Sequence, residues 1–114
     1  TPLQALVTLN DPQFVEAARL LAERLLESEG HTQAKISQGY QRVTGRPATA
    51  EEASSLGVWV AEQERLFLKE PERAQELLNV GDYPASAQHA PETLAAWTLL
   101  AQLLLNLDET LTRN

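Results

Sequence analysis

From Pro91 the chain runs Glu-Thr-Leu-Ala-Ala-Trp-Thr-Leu-Leu-Ala-Gln-Leu-Leu-Leu-Asn106, a stretch with no polar face to give to water. Pro91 suits a first helical position, where a missing N–H costs nothing. Leu and Ala are strong helix formers. A helix over Glu92–Asn106 carries Leu94, Ala95, Trp97, Leu99, Leu100, Ala101, Leu103, Leu104 and Leu105 nearly all round its axis. Such a rod is either central in a bundle or part of an interface. It is too short for the ~20 apolar residues of a bilayer span, and Thr98 and Gln102 interrupt it. The rest of the chain therefore has to supply its cover.

That cover reads as helical throughout. Asp11-Pro12 is a start signal, with a capping carboxylate before proline. The run that follows places Phe14, Ala18, Leu21 and Leu25 on one face, widened by Ala22, with Glu16, Arg19, Glu23 and Glu27 on the other. Gly30 is its expected stop. A second helix is expected from Thr32 or Gln33 to about Thr44, with Ile36, Tyr40 and Val43 inward; Gly45 and Arg46-Pro47 end it. Thr49-Ala-Glu-Glu52 has the spacing of a capping box. It opens a third helix that is expected to bury Ala53, Leu56, Val60 and Phe67, with Trp59 and Leu66 flanking and Gly57 at a close helix contact. Pro71 to about Leu78 makes a short fourth helix, and Val80–Ala90 is irregular, rich in turn formers. The expectation is an all-α bundle of about five helices around the apolar C-terminal one, with residues 1–114 forming a single domain.

Acidic residues outnumber basic ones 16 to 9, for a net charge of −7. That field disfavours nucleic acid, for which only Lys35, Arg42 and Arg46 offer a basic stripe. There is no cysteine, so disulfides, thiolate metal sites and the C-x-x-C-H attachment of a c-type haem are excluded from this segment. Phosphate-loop, dinucleotide and nucleophile-elbow motifs are absent. Of the two histidines, His31 follows Gly30 and His89 lies in the late loop; Glu27 and His31 would make at best a two-residue metal site. The pairs Glu23/Glu27 and Glu72/Glu76 read as solvated helix faces. Trp59 and Trp97 read as core packing more than as a stacking platform. The segment is therefore expected to hold no cofactor, and no residue is assigned a catalytic role.

The ends of the chain resemble a known family. Thr1-Pro-Leu-Gln-Ala-Leu-Val-Thr-Leu-Asn-Asp-Pro-Gln-Phe-Val-Glu-Ala-Ala-Arg19 is similar to the opening of the C-terminal part of the planctomycete domain of unknown function 1553. Gly45-Arg-Pro-Ala-Thr-Ala-Glu-Glu52 resembles its middle signature. Ala95-Ala-Trp97 and Leu104-Leu-Asn-Leu-Asp-Glu-Thr-Leu-Thr-Arg113 resemble its closing motif, with Thr110 where the family often has an aromatic. The resemblance implies the end of a large exported bacterial protein, often with a cytochrome-c-like domain upstream that would carry any haem. It transfers no catalytic residue.

Two readings follow. In the first, the chain is a structural or interaction module, the C-terminal fragment of a larger protein. Leu3, Leu6, Val7 and Leu9 then form the surface offered to the upstream part, or to a second copy in isolation. In the second, the chain walls a catalytic or redox cleft completed by upstream domains, and Asn106, Asp108, Glu109 and Arg113 are the polar cluster to follow.

Overall fold

The computed structural model describes residues 11–112, with side chains as far as Leu107. Five helices follow one another: α1 (Pro12–Glu27), α2 (Thr32–Thr44), α3 (Ala50–Lys69), α4 (Pro71–Leu78) and α5 (Pro91–Thr112). No strand occurs among the described residues. The fold is an all-α bundle, as the apolar terminal run requires.

Helix α5 is the hub. It packs against each of the other four helices, most extensively against α1. Leu94, Ala95, Ala96, Thr98, Leu100, Ala101 and Leu104 have no exposed surface, and Trp97 retains only 3 %. Ala18 and Ala22 of α1, both fully buried, belong to the same core cluster. Each enclosed Leu of α5 contributes about 2 kcal/mol through apolar burial. The buried Thr98 hydroxyl donates to the Leu94 carbonyl one turn back, 2.8 Å away, so this hydroxyl is not stranded. The helix continues beyond Asn106 to Thr112.

The helix ends follow local chemistry. The Asp11 side chain accepts from Gln13 N, with Pro12 behind it. Both bonds of the Thr49/Glu52 capping box are made. Gly45 closes α2 with φ +88°, a left-handed conformation that glycine adopts without strain. One end differs from expectation, while α2 begins at Thr32 as expected, with a cap that the sequence left unassigned. The cap of α1 is Ser28, whose Oγ and N–H both reach the Leu25 carbonyl, so the helix stops before Gly30. The cap of α2 is His31, whose Nδ1 accepts from Ala34 N at 3.1 Å.

Packing of the sheath also departs from the expected faces. Val15 of α1 is buried while Phe14 and Leu21 are half-covered; in α3 the buried residues are Ala53 and Val60, with Leu56, Trp59 and Phe67 partly covered against the core. Gly57 is not at a tight contact, since a Cβ there would lie 3.9 Å from Ile36 Cδ1. The close approach is at Gly39 of α2, where a Cβ would stand 2.7 Å from Leu25 Cδ1 and 3.2 Å from Leu104 Cδ1.

Candidate functional site

An irregular segment carries backbone donors and acceptors that no ladder satisfies. Between α4 and α5 this segment returns across α1, which meets it with Glu16, Arg19 and Glu23. The Glu16 carboxylate accepts from Tyr83 N at 2.6 Å. Arg19 donates to the carbonyls of Tyr83 and Pro84 and, at 2.9 Å, to Glu23. Glu23 also accepts from Ser86 N at 2.9 Å. Gly81, at φ +97°, makes room for the Glu16 carboxyl, which would lie 2.6 Å from a Cβ there.

This corrects the expectation that Arg19, Glu16 and Glu23 face solvent. Arg19 has no exposed surface, and the side chains of Glu16 and Glu23 retain only 16 % and 14 %. Their stripe is a polar seam between helix and strap. Its Arg holds the strap against α1 through these bonds. The Arg19 Nε is buried without a hydrogen-bond partner.

The strap walls a concavity of about 520 Å³, lined by Gln75 and Leu78 of α4 and by Asp82, Tyr83, Ser86 and His89 among others. The Nε2 of His89 is buried without a hydrogen-bond partner, 3.6 Å from the half-exposed Glu27 carboxylate. Glu27 is thus beside His89, while His31 caps α2. No group of three or more His, Cys, Asp or Glu side chains suited to a metal occurs among the described residues. Among the described residues no Ser or Thr hydroxyl is hydrogen-bonded to His89 Nε2.

The Gly45–Glu52 motif forms a second polar cluster. Arg46 grips the Glu52 carboxylate with two nitrogens at 3.0 and 3.1 Å and donates to the Tyr40 hydroxyl at 3.0 Å. Tyr40 OH in turn donates to Glu52, and the Arg46 guanidinium lies 4.8 Å from the Tyr40 ring centre. The guanidinium, followed by the Thr49 N–H, holds the Glu52 carboxyl well below its ordinary range, at about 2. Burial and the adjacent Glu52 raise the Tyr40 phenol above its ordinary value. The motif therefore clasps the turn from α2 to α3.

Among the described residues, Arg46 is the one further sequence candidate that joins either cluster. Asn106 donates to the Gln102 carbonyl at 3.1 Å, away from the His89 concavity. The side chains of Asp108 and Glu109, and Arg113 altogether, lie outside the described residues, as do Leu3, Leu6, Val7 and Leu9. Of the three basic candidates, Lys35 donates to the Leu26 carbonyl at the end of α1, Arg46 is held by Glu52, and Arg42 stays exposed. Glu72 and Glu76 are exposed, as expected. Trp97 is buried in the core and Trp59 packs against it. No helix among the described residues is long and apolar enough to cross a membrane.

The buried arginine was missed because a polar stripe at helical spacing looks the same whether water or a loop backbone satisfies it. The one available signal was the turn-rich Val80–Ala90 segment, which needs partners for its peptide groups.

Comparison with known proteins yields one family. No curated protein and no solved structure matches the chain. The model of the family described as "Protein of unknown function (DUF1553)" matches residues 1–60, which include α1, α2 and the Arg46–Glu52 clasp. That is more than half of the 114 residues, and the chain belongs to the DUF1553 family.

Proposed function

We propose that this chain is a non-catalytic structural and interaction module. It ends a large exported, cytochrome-c-associated bacterial protein and is seated on the upstream part of the same polypeptide through Leu3, Leu6, Val7 and Leu9. The observation that carries this reading is where the strongest polar groups go. Arg19 is enclosed by the strap's carbonyls and Glu23, and Arg46 by Glu52 and Tyr40. Side chains that could bind or activate a substrate hold the bundle in shape instead. Any haem belongs to the upstream part, since no cysteine is available here.

The test is to express the segment with its native upstream sequence and compare melting temperatures. A docked module gains stability from the added part, as any partner that binds only the native state confers. An unchanged melting temperature, with a well-folded monomer in isolation, counts against the reading.

One observation favours the alternative, a wall of an active or redox cleft. His89 brings an unpartnered ring nitrogen to a polar concavity. Under that reading His89→Gln leaves the fold intact but abolishes turnover or alters the redox signal of the full-length protein. Under the module reading it does neither.

A further inference from the structure

Glu16, Arg19, Glu23 and Glu27 stand three or four residues apart on α1 and so share one helix face. The strap runs along that face in the same order. Glu16 takes the Tyr83 N–H, Arg19 the Tyr83 and Pro84 carbonyls, and Glu23 the Ser86 N–H. Glu27, one turn further, meets His89. The first three rungs are closed by hydrogen bonds. The last is open: His89 Nε2 is enclosed without a hydrogen-bond partner, and the Glu27 carboxylate stands 3.6 Å away, beyond hydrogen-bond reach. A buried polar atom left unpaired is costly to the fold.

What the open rung lacks is a proton. The other ring nitrogen of His89, Nδ1, is not enclosed in this way, so a proton from water can add there. Both nitrogens of an imidazolium are donors, and Nε2 then presents an N–H and a positive charge to the carboxylate. The Glu27 side chain is 50 % exposed and has room to close the gap. No neighbouring charge takes its place. Arg19 is engaged by Glu23 and the strap carbonyls. His31, ahead of α2, spends its Nδ1 on Ala34 N. Asp82 and Tyr83 of the strap line the same concavity, and Glu92 stands in the first turn of α5. On α4 the concavity is faced by Gln75, Leu78 and Asn79, none of which titrates.

We propose that the end of the strap is a pH-sensitive latch, in which protonated His89 clips to Glu27 and holds the strap against α1, and neutral His89 lets that end lift and widen the concavity it walls. The fastening is present while the ring is charged and is lost as pH rises through the range of about 5 to 8 in which imidazoles change charge. The latch serves a structural module and a cleft wall alike, so it stands apart from the choice between them.

The test follows the Ser86 amide in the complete 114-residue chain, as protection from exchange relative to the unstructured rate at each pH. Lowering the pH from about 8 to about 5.5 is expected to raise that protection. The expected rise is roughly two- to fivefold, as for a partly exposed ion pair. In His89→Gln and in Glu27→Gln, which leave the other three rungs in place, protection is expected to stay level across the same step. Equal protection at both pH values in the parent, or a rise that persists in either variant, overturns the proposal. A second readout needs only the parent. With nitrogen-15 in its histidines, the chain at the lower pH is expected to show a slowly exchanging Nε2–H signal from His89, and the absence of that signal also overturns the proposal.

Discussion

Arg19, wholly enclosed on α1, donates to the backbone carbonyl of Tyr83, 64 residues further along the chain. The same guanidinium reaches Pro84 and Glu23. A charged side chain without exposed surface is tolerated only when such partners replace its water. Arg19→Met removes the cation that Glu16 and Glu23, both largely covered, share. The expected loss is about 3 kcal/mol or more, read from urea unfolding. Amide exchange at Tyr83 and Ser86 should accelerate more than in α2, because the strap loses its anchor.

The two glycines within helices should respond in opposite directions to alanine. At Gly39 the new methyl meets Leu25 at 2.7 Å and Leu104 at 3.2 Å in the core. Overpacking of this kind costs about 1–3 kcal/mol and outweighs the gain of up to ~1 kcal/mol in helix propensity. At Gly57 the nearest side-chain atom would be 3.9 Å away, so Gly57→Ala keeps that gain. Melting curves of the two variants should fall on either side of the parent; matching shifts would contradict the packing described for α2.

Glu52 sets an acid dependence of stability. Its folded carboxyl titrates at about 2 against an ordinary 4.5. A carboxylate depressed in this way stabilises the fold above the unfolded value, and that contribution disappears as pH falls through about 4.5 towards 2. Glu52→Gln should lower stability at neutral pH and flatten the decline across that window. Denaturation at stepped pH on parent and variant measures the difference, from which the other carboxylates cancel. Thr49→Ala removes the other half of the capping box and should cost about 1 kcal/mol, with the pH profile reduced less than in Glu52→Gln.

Thr98 offers a contrast to Arg19. It is fully buried, but its hydroxyl adds only a second bond to the Leu94 carbonyl, which already accepts along the helix. Thr98→Val should therefore leave stability within about 1 kcal/mol of the parent. Leu100→Ala, a few ångströms along the same helix, should cost about 2–5 kcal/mol through loss of apolar burial and the cavity left behind.

The parts of this fold that can be read from sequence are those whose cause is local. Asp11-Pro12, the Gly45 turn, the Thr49/Glu52 box and the apolar run from Leu94 each act within a few residues, and each is where the sequence places it. Ser28 capping before Gly30, and the imidazole of His31 capping α2, escaped because a stronger generic signal stood beside them. The burial of Arg19 depends on a segment more than sixty residues away, and Gly39 on side chains from α1 and α5. Helical periodicity carries neither fact. The middle family motif was visible as a string, but its meaning as a clasp needed Tyr40, which lies outside the string and one helix earlier.

The order in which the helices are made has a cost that follows from α5 being their common partner. At the ribosomal pace of ~5–20 residues per second, α1 to α4 emerge before the surface they were shaped to meet has been synthesised. For those seconds their apolar stripes have no native home, and whatever part of the polypeptide or chaperone lies nearest can bind them first. A message truncated just before Pro91 would release four such ribbons and no domain.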